Sequence, residues 1–291
     1  MPLITQLQQF ASESAATPHG MVHYRRARSP ACSGVVTHVL LHGIGSASAS
    51  WLAQLQCVDR GVGSGLHIVA WDAPGYGGSE ALAEQTPVAA DYAARFWQWI
   101  TALGADARAP FTLVGHSLGA LMAASAAACR PERVARLVLL APAQGYANAN
   151  AQVRERKLSE RLASLAQLGP AGLAKNRAAA MLSTNASAEQ VAFVEYVMAG
   201  IQPHGYTQAA HMLASGDVLA DLRQLGCPVT IASGSADNVT PPEGCMALAQ
   251  TIDVPYVSLG AVGHTCALEA AVEVNRVIGI DSADNLEREE A

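Results

Sequence analysis

No run of about 18 uninterrupted apolar residues occurs in this chain of 291, so no membrane span is expected. Positive charge is in deficit: 18 Lys and Arg stand against 24 Asp and Glu, for a net charge of −6. A nucleic-acid partner usually needs a basic patch, and this balance argues against one. Residues 1–16 lack a basic segment followed by an apolar run, so no secretory leader is expected and the expected location is cytoplasmic. The six cysteines, Cys32, Cys57, Cys129, Cys227, Cys245 and Cys266, form no C-x-x-C pair. They are expected as reduced thiols, mostly core filler, rather than a disulfide framework or zinc site. No H-E-x-x-H or H-x-H spacing occurs either, so neither a metal nor a cofactor is expected.

Apolar material is plentiful. At 51% hydrophobic and 14% charged, the chain can bury a large core, as one domain or a domain with an inserted subdomain. The stretches 22–25, 37–41, 67–71, 111–114, 134–140, 229–232 and 255–259 read as strands. Residues 1–18 read as a short helical or loose lead-in, and 29–34 as a turn. The stretch 88–103 has helical periodicity, with Tyr92, Phe96, Trp99 and Leu103 on one face, and 268–278 reads as a closing helix. Strands alternating with helices imply βαβ units, and continuously apolar strands fit a mainly parallel sheet covered on both faces. Residues 145–220 break the alternation with four expected helices, 152–168, 171–181, 188–201 and 205–219. They read as a helical cap, or lid, inserted into a core domain made of 1–144 and 221–291. The acidic tail 281–291 is expected to fray.

The chemistry concentrates at a few loops. Ser117 sits in Gly115-His116-Ser117-Leu118-Gly119, after the 111–114 strand and before a helix-forming stretch. That context is a nucleophile elbow: the glycines permit the sharp turn, and the helix N-terminus favours a developing negative charge. A serine nucleophile needs a base, an acid to orient the base, and an oxyanion hole. His264, just past the last strand, is the candidate base, and Asp237, in the loop after the 229–232 strand, the candidate acid. Both follow strand C-termini, where parallel α/β sheets place their ligands. The backbone N–H groups of Leu118 and of Ile44, in His42-Gly43-Ile44-Gly45, are the candidate oxyanion donors. Asp72, in Asp72-Ala73-Pro74-Gly75-Tyr76-Gly77-Gly78-Ser79, is the rival acid. His116 is expected to point away from the serine and His42 to brace the oxyanion loop. His204 and His211 are candidate pocket residues, as are Tyr146, Met181, Met198 and Met212.

With these motifs in order, the chain resembles the α/β-hydrolase superfamily over roughly residues 20–280, and within it the carboxylesterase and 3-oxoadipate enol-lactonase-like group. The resemblance implies a mostly parallel central sheet of about eight strands flanked by helices, with a cap after the sixth. It implies a Ser-His-Asp triad in the chain order Ser117, Asp237, His264. Family members keep the aspartate at position 72 while using a later carboxylate, and residues 140–145, the other acid position in relatives, hold none. The activity implied is hydrolysis of a small to medium ester or lactone through an acyl-enzyme. The same triad serves C–C hydrolases of ring-cleavage products, which often carry G-N-S-x-G-G at the elbow, and cofactor-free haloperoxidases or perhydrolases. An epoxide hydrolase or dehalogenase would need aspartate at 117, and a non-catalytic binding protein on this fold commonly lacks a triad member. Arg154, Arg156, Lys157, Arg161, Lys175 and Arg177 in the cap could each hold a substrate carboxylate, though most are expected as solvated surface. The expected partner is a small-molecule substrate, and the sequence leaves monomer or homo-oligomer open.

Overall fold

The strands are β1 (Glu13–Thr17), β2 (Gly20–Arg28), β3 (His38–Leu41), β4 (His67–Trp71), β5 (Phe111–His116), β6 (Val134–Leu140), β7 (Val229–Ser233) and β8 (Tyr256–Ser258). They form one sheet in the order β1-β2-β4-β3-β5-β6-β7-β8 in the computed structural model, which describes residues 1–30 and 32–281. The pairs β1–β2 and β2–β4 are antiparallel, and every pairing from β4 to β8 is parallel. The helices are α1 (Leu3–Leu7), α2 (Leu52–Asp59), α3 (Ala89–Ala102), α4 (Gly119–Cys129), α5 (Ala151–Arg177), α6 (Ala188–Ala199), α7 (Pro203–Ser215), α8 (Val218–Leu222), α9 (Pro242–Thr251), α10 (Cys266–Glu269) and α11 (Ala271–Ile278). None is long and apolar enough to cross a membrane among the described residues.

Side chains alternate across the sheet with period two. Val39, Leu41, Val69, Trp71, Leu113 and Leu137 enter one apolar layer, with Trp99 of α3, Leu121 of α4 and Leu248 of α9. Leu40, Ile68, Ala70, Val114, Val138 and Leu140 enter the opposite layer, with Leu55 of α2 and Val274 and Ile278 of α11. Each residue of β3, β4 and β7 is buried, which is why these strands are mostly apolar, with His38, His67, Thr230 and Ser233 as their buried polar members.

Four local differences from the sequence expectation stand out. The lead-in 1–18 contains α1 and also an edge strand, β1, held to β2 by backbone pairing and by the Glu13–Arg26 ion pair. Its residues Glu-Ser-Ala-Ala-Thr carry no apolar alternation because neither face of the strand is fully buried. The expected helices 152–168 and 171–181 are two limbs of α5, kinked at Gly169 (φ 63°) ahead of Pro170, and residues 179–181 form a separate 3-10 turn. Glycine accepts the positive φ and proline starts the next limb without an N–H to lose. The expected helix 205–219 breaks between α7 and α8, where the Asp217 carboxylate caps Ala220 N–H. The closing helix likewise divides into α10 and α11 at Ala270. Beyond Asp281, the acidic tail expected to fray lies outside the described residues.

Candidate active site

β5 ends at His116, and Ser117 turns the chain into α4 with φ 53°. A non-glycine residue in this region carries a strain of about 1–3 kcal/mol, which the surroundings must hold. They do so through backbone bonds: Ser117 N–H donates to Leu140 O at 3.0 Å, and Ser117 O accepts from Ala120 N at 3.0 Å and Ala143 N at 3.1 Å. The flanking glycines are required by close approach. A Cβ at 115 would lie 2.5 Å from Gly119 O, and one at 119 would fall onto Leu41 O.

The loop after β8 brings His264 to this turn. Its Nε2 is 2.9 Å from Ser117 Oγ, and its Nδ1 is 2.8 Å from Asp237 Oδ2. With Nδ1–H donating to the carboxylate, Nε2 is free to accept from the serine hydroxyl. Asp237 is 3% exposed. Its Oδ1 accepts from the backbone N–H of Val239 at 2.7 Å and Thr240 at 3.0 Å, and its Oδ2 from the Thr240 hydroxyl at 2.8 Å. Burial works against the charge, but the hydrogen bond and charge of His264, with those two backbone donors, outweigh it. The carboxyl is held below its usual range.

Neighbouring groups hold the three in place. His116 does not bond Ser117; its Nε2–H donates to the carbonyl of His264 at 2.8 Å. Burial, together with the neighbouring His264, pushes His116 down to about 3, so it is neutral at ordinary pH. His42 donates from Nδ1 to Gly43 O at 2.8 Å and accepts Ala73 N–H at Nε2 at 3.0 Å, tying the 42–45 loop to the 72–79 loop. Burial lowers its pKa as well. Tyr76 reinforces that tie by donating to Ile44 O at 2.8 Å. Asp72 lies in this support and not beside His264: its Oδ1 accepts Ser48 N–H at 2.7 Å. The His264 loop is also fastened to the helical segment after α5. The Glu269 carboxylate accepts Gly263 N–H at 2.9 Å and the Ser183 hydroxyl at 2.6 Å, and Thr265 N–H donates to Met181 O at 2.9 Å.

Ser117 and His264 open onto a cavity of about 290 Å³. Ile44 and Leu118 line it, and neither backbone N–H has a hydrogen-bond acceptor among the described residues. Its far wall is apolar and comes from the helices between β6 and β7, through Leu173, Phe193, Val194, Val197 and Met198. Of the sequence candidates, Tyr146 and Met181 also line it, whereas Met212 is buried in the core and His204 and His211 lie elsewhere. Arg161 and Arg177 reach the cavity; Arg154, Arg156, Lys157 and Lys175 do not. The Thr240 hydroxyl escaped the sequence reading, although a threonine three residues after an aspartate is a local pattern that can bond it. Among the described residues no three His, Cys, Asp or Glu side chains are grouped so as to hold a metal ion.

Comparisons with known proteins agree with this architecture. A hydrolase of Acinetobacter baylyi named for (E)-2-((N-methylformamido)methylene)succinate is 27% identical over 204 residues, covering 68% of this chain and 72% of that protein. A thermophilic esterase from Thermogutta terrifontis superposes with a TM-score of 0.77 at 20% identity, covering 92% of this chain and 96% of its own. The enol-lactonase from Burkholderia xenovorans gives 0.77 at 19% identity, covering 91% and 98%. At these identities the two structures speak for the fold. The family model described as alpha/beta hydrolase family matches residues 39–277, from β3 through α11, and the chain belongs to that family.

Proposed function

We propose that the protein is a serine hydrolase of small to medium carboxylic esters or lactones, with Ser117, His264 and Asp237 as its triad. The observation that carries this reading is the hydrogen-bonded chain from Ser117 Oγ through His264 to Asp237 at the foot of a largely apolar cavity. Ser117 Oγ attacks the acyl carbon and its proton passes to His264 Nε2. Asp237 holds the imidazole and stabilises its charged form. The N–H groups of Ile44 and Leu118 receive the oxyanion. The intermediate collapses, and the leaving oxygen takes the proton from His264. Water then attacks the acyl-enzyme, gives a proton to His264, and releases the acid as Ser117 recovers its hydrogen.

The helices within 145–220 serve in this reading as a cap on a core formed by 1–144 and 221–291. They roof the serine and limit what reaches it. A cavity of about 290 Å³ is at the small end of ligand pockets, which run from about 300 to 1,000 Å³. The test has two parts. A fluorophosphonate probe should label Ser117, and kcat/KM over p-nitrophenyl esters from C2 to C16 should peak at short to medium chains. Absence of labelling in the folded protein would refute the nucleophile, and a maximum at C12 or longer would refute the roofed site.

A further inference from the structure

A second cavity, of about 460 Å³, lies beside the first on the side of the 42–49 loop. Ser46 and Val197 line both, so the two cavities meet at this pair. The outer end of the second cavity is formed by exposed residues: Tyr196, Ala199 and Gly200 at the end of α6, and Gly77 on the 72–79 loop.

Its buried lining is polar. Asp72 is 4% exposed and Ser48 is 1% exposed. Ser48 N–H donates to Asp72 Oδ1 at 2.7 Å, while Ser48 Oγ and Asp72 Oδ2 have no hydrogen-bond partner among the described residues. The half-buried Arg25 joins them. Arg25 pairs with Ala70 across β2 and β4, and Asp72 N–H extends the same ladder to His23 O at 2.8 Å. Arg25 and Asp72 are therefore diagonal neighbours on one face of the sheet, a spacing of about 7–8 Å. They form no ion pair among the described residues. Arg25 Nη1 donates to Phe10 O instead, and its buried Nε has no partner there. Buried polar groups left without protein partners, in a space this roomy, are bridged by water.

We propose that this second cavity delivers the hydrolytic water to the acyl-enzyme, past Ser46 and Val197. The proposal rests on the serine-hydrolase reading of Ser117. An acyl chain on Ser117 occupies the apolar cavity, yet every turnover consumes a water molecule. The second cavity supplies it without displacing the chain. The water oxygen bonds to the acyl carbon, and a water proton passes to His264 Nε2. The bond from that carbon to Ser117 Oγ then breaks, and Oγ takes the proton from His264.

Ala47 and Ala199 line the second cavity and not the first, so tryptophan at either position fills the water route alone. Ala47 is extended, with φ −160°, and accepts a larger side chain without backbone strain. Stopped-flow release of p-nitrophenol reads acylation. Intact-mass spectrometry of quenched enzyme reads the acyl group on Ser117. With p-nitrophenyl hexanoate, Ala47→Trp and Ala199→Trp should acylate at the wild-type rate but deacylate roughly 10-fold more slowly, so that hexanoyl-enzyme accumulates. With p-nitrophenyl acetate, whose acyl group leaves room for water beside it, deacylation should stay within about 2-fold of wild type. Wild-type deacylation of the hexanoyl-enzyme in the folded variants overturns the proposal. So does an equal slowing of acylation and deacylation with both esters, which would mark a distorted oxyanion loop. Ala199 is exposed, so its variant carries the test if Ala47→Trp does not fold.

A second readout is independent of turnover. A crystal structure of the wild type should show ordered waters in file from Asp72 and Ser48, past Ser46, to Ser117, and Ala47→Trp should interrupt the file. If no acyl-enzyme forms in the wild type, the hydrolase reading fails and the file alone decides the route. A continuous file upholds it, and a dry wall at Ser46 and Val197 overturns it.

Discussion

The hydroxyl of Thr240 lies 2.8 Å from Oδ2 of Asp237, the same oxygen that His264 Nδ1 reaches at 2.8 Å. It is also 3.2 Å from His264 Nδ1 and 3.0 Å from Ala141 O. Its single proton can go to the carboxylate or to the carbonyl, so the hydroxyl either supports the acid or only ties the loop to the end of β6. In the first case Thr240→Val should lower kcat by roughly 10-fold, the worth of one hydrogen bond to a charged group. Thr240→Ser should recover most of that loss. Equal kcat in the valine and wild-type enzymes would assign the proton to Ala141.

Ser117→Ala should lower kcat by roughly 10³-fold or more while leaving the fold intact. Ser117→Gly should be equally inactive but more stable than the alanine variant by about 1 kcal/mol, because glycine takes a φ of 53° without the Cβ penalty. Thermal unfolding of the two variants makes the comparison. Equal melting temperatures would mean the turn imposes no strain.

The two aspartates should separate cleanly. Asp237→Asn loses the acceptor that orients His264 and should reduce kcat by an amount approaching ~10⁴-fold. Asp72→Asn can still offer an oxygen to Ser48 N–H, so its effect should fall mainly on stability. Steady-state kinetics with urea unfolding of both variants decides the matter; an inactive Asp72→Asn beside an active Asp237→Asn would reverse the assignment.

Two buried histidines make stability depend on acid. His116 is pushed down to about 3, and His38, bonded to Ile278 O at 2.9 Å, down to about 4, in each case chiefly by burial. Unfolded, both would titrate near 6.5. Below that pH the unfolded chain binds protons that the folded protein refuses. Their contribution is therefore complete above 6.5 and is lost as the pH falls toward 4 and 3, at about 1.4 kcal/mol per pH unit for each group. Asp237, lowered from the usual carboxylate range, adds its own loss only at lower pH. Urea midpoints at pH 7, 6 and 5 should fall accordingly, and His38→Gln should remove one group's share of the slope.

The strands of the parallel sheet were legible because burial on both faces forces apolar runs, as in Leu137-Val138-Leu139-Leu140 of β6. The elbow was legible because its glycines are demanded by backbone contacts and so leave a fixed spacing around Ser117. β1 was not, since an edge strand pairs through its backbone and leaves its side chains free to be small and polar. Which arginines of α5 line the cavity was hidden for another reason. The kink at Gly169 resets the helical phase between Arg161 and Arg177, so no single periodicity relates them. Thr240 was missed although its bond to Asp237 is local; only its contacts with Ala141 and His264 come from residues far apart in the chain.

The bonds from Glu269 to Gly263 and Ser183, and from Thr265 to Met181, bind the His264 loop to the segment joining α5 and α6. His264 and the 181–183 segment are thus one mechanical piece. Any movement of the 181–183 segment would pull on the His264 loop and on the 2.9 Å contact of His264 with Ser117 Oγ. In deuterium exchange, the amides of Gly263, Ser183 and Thr265 should open together, and later than those of the α5 limbs.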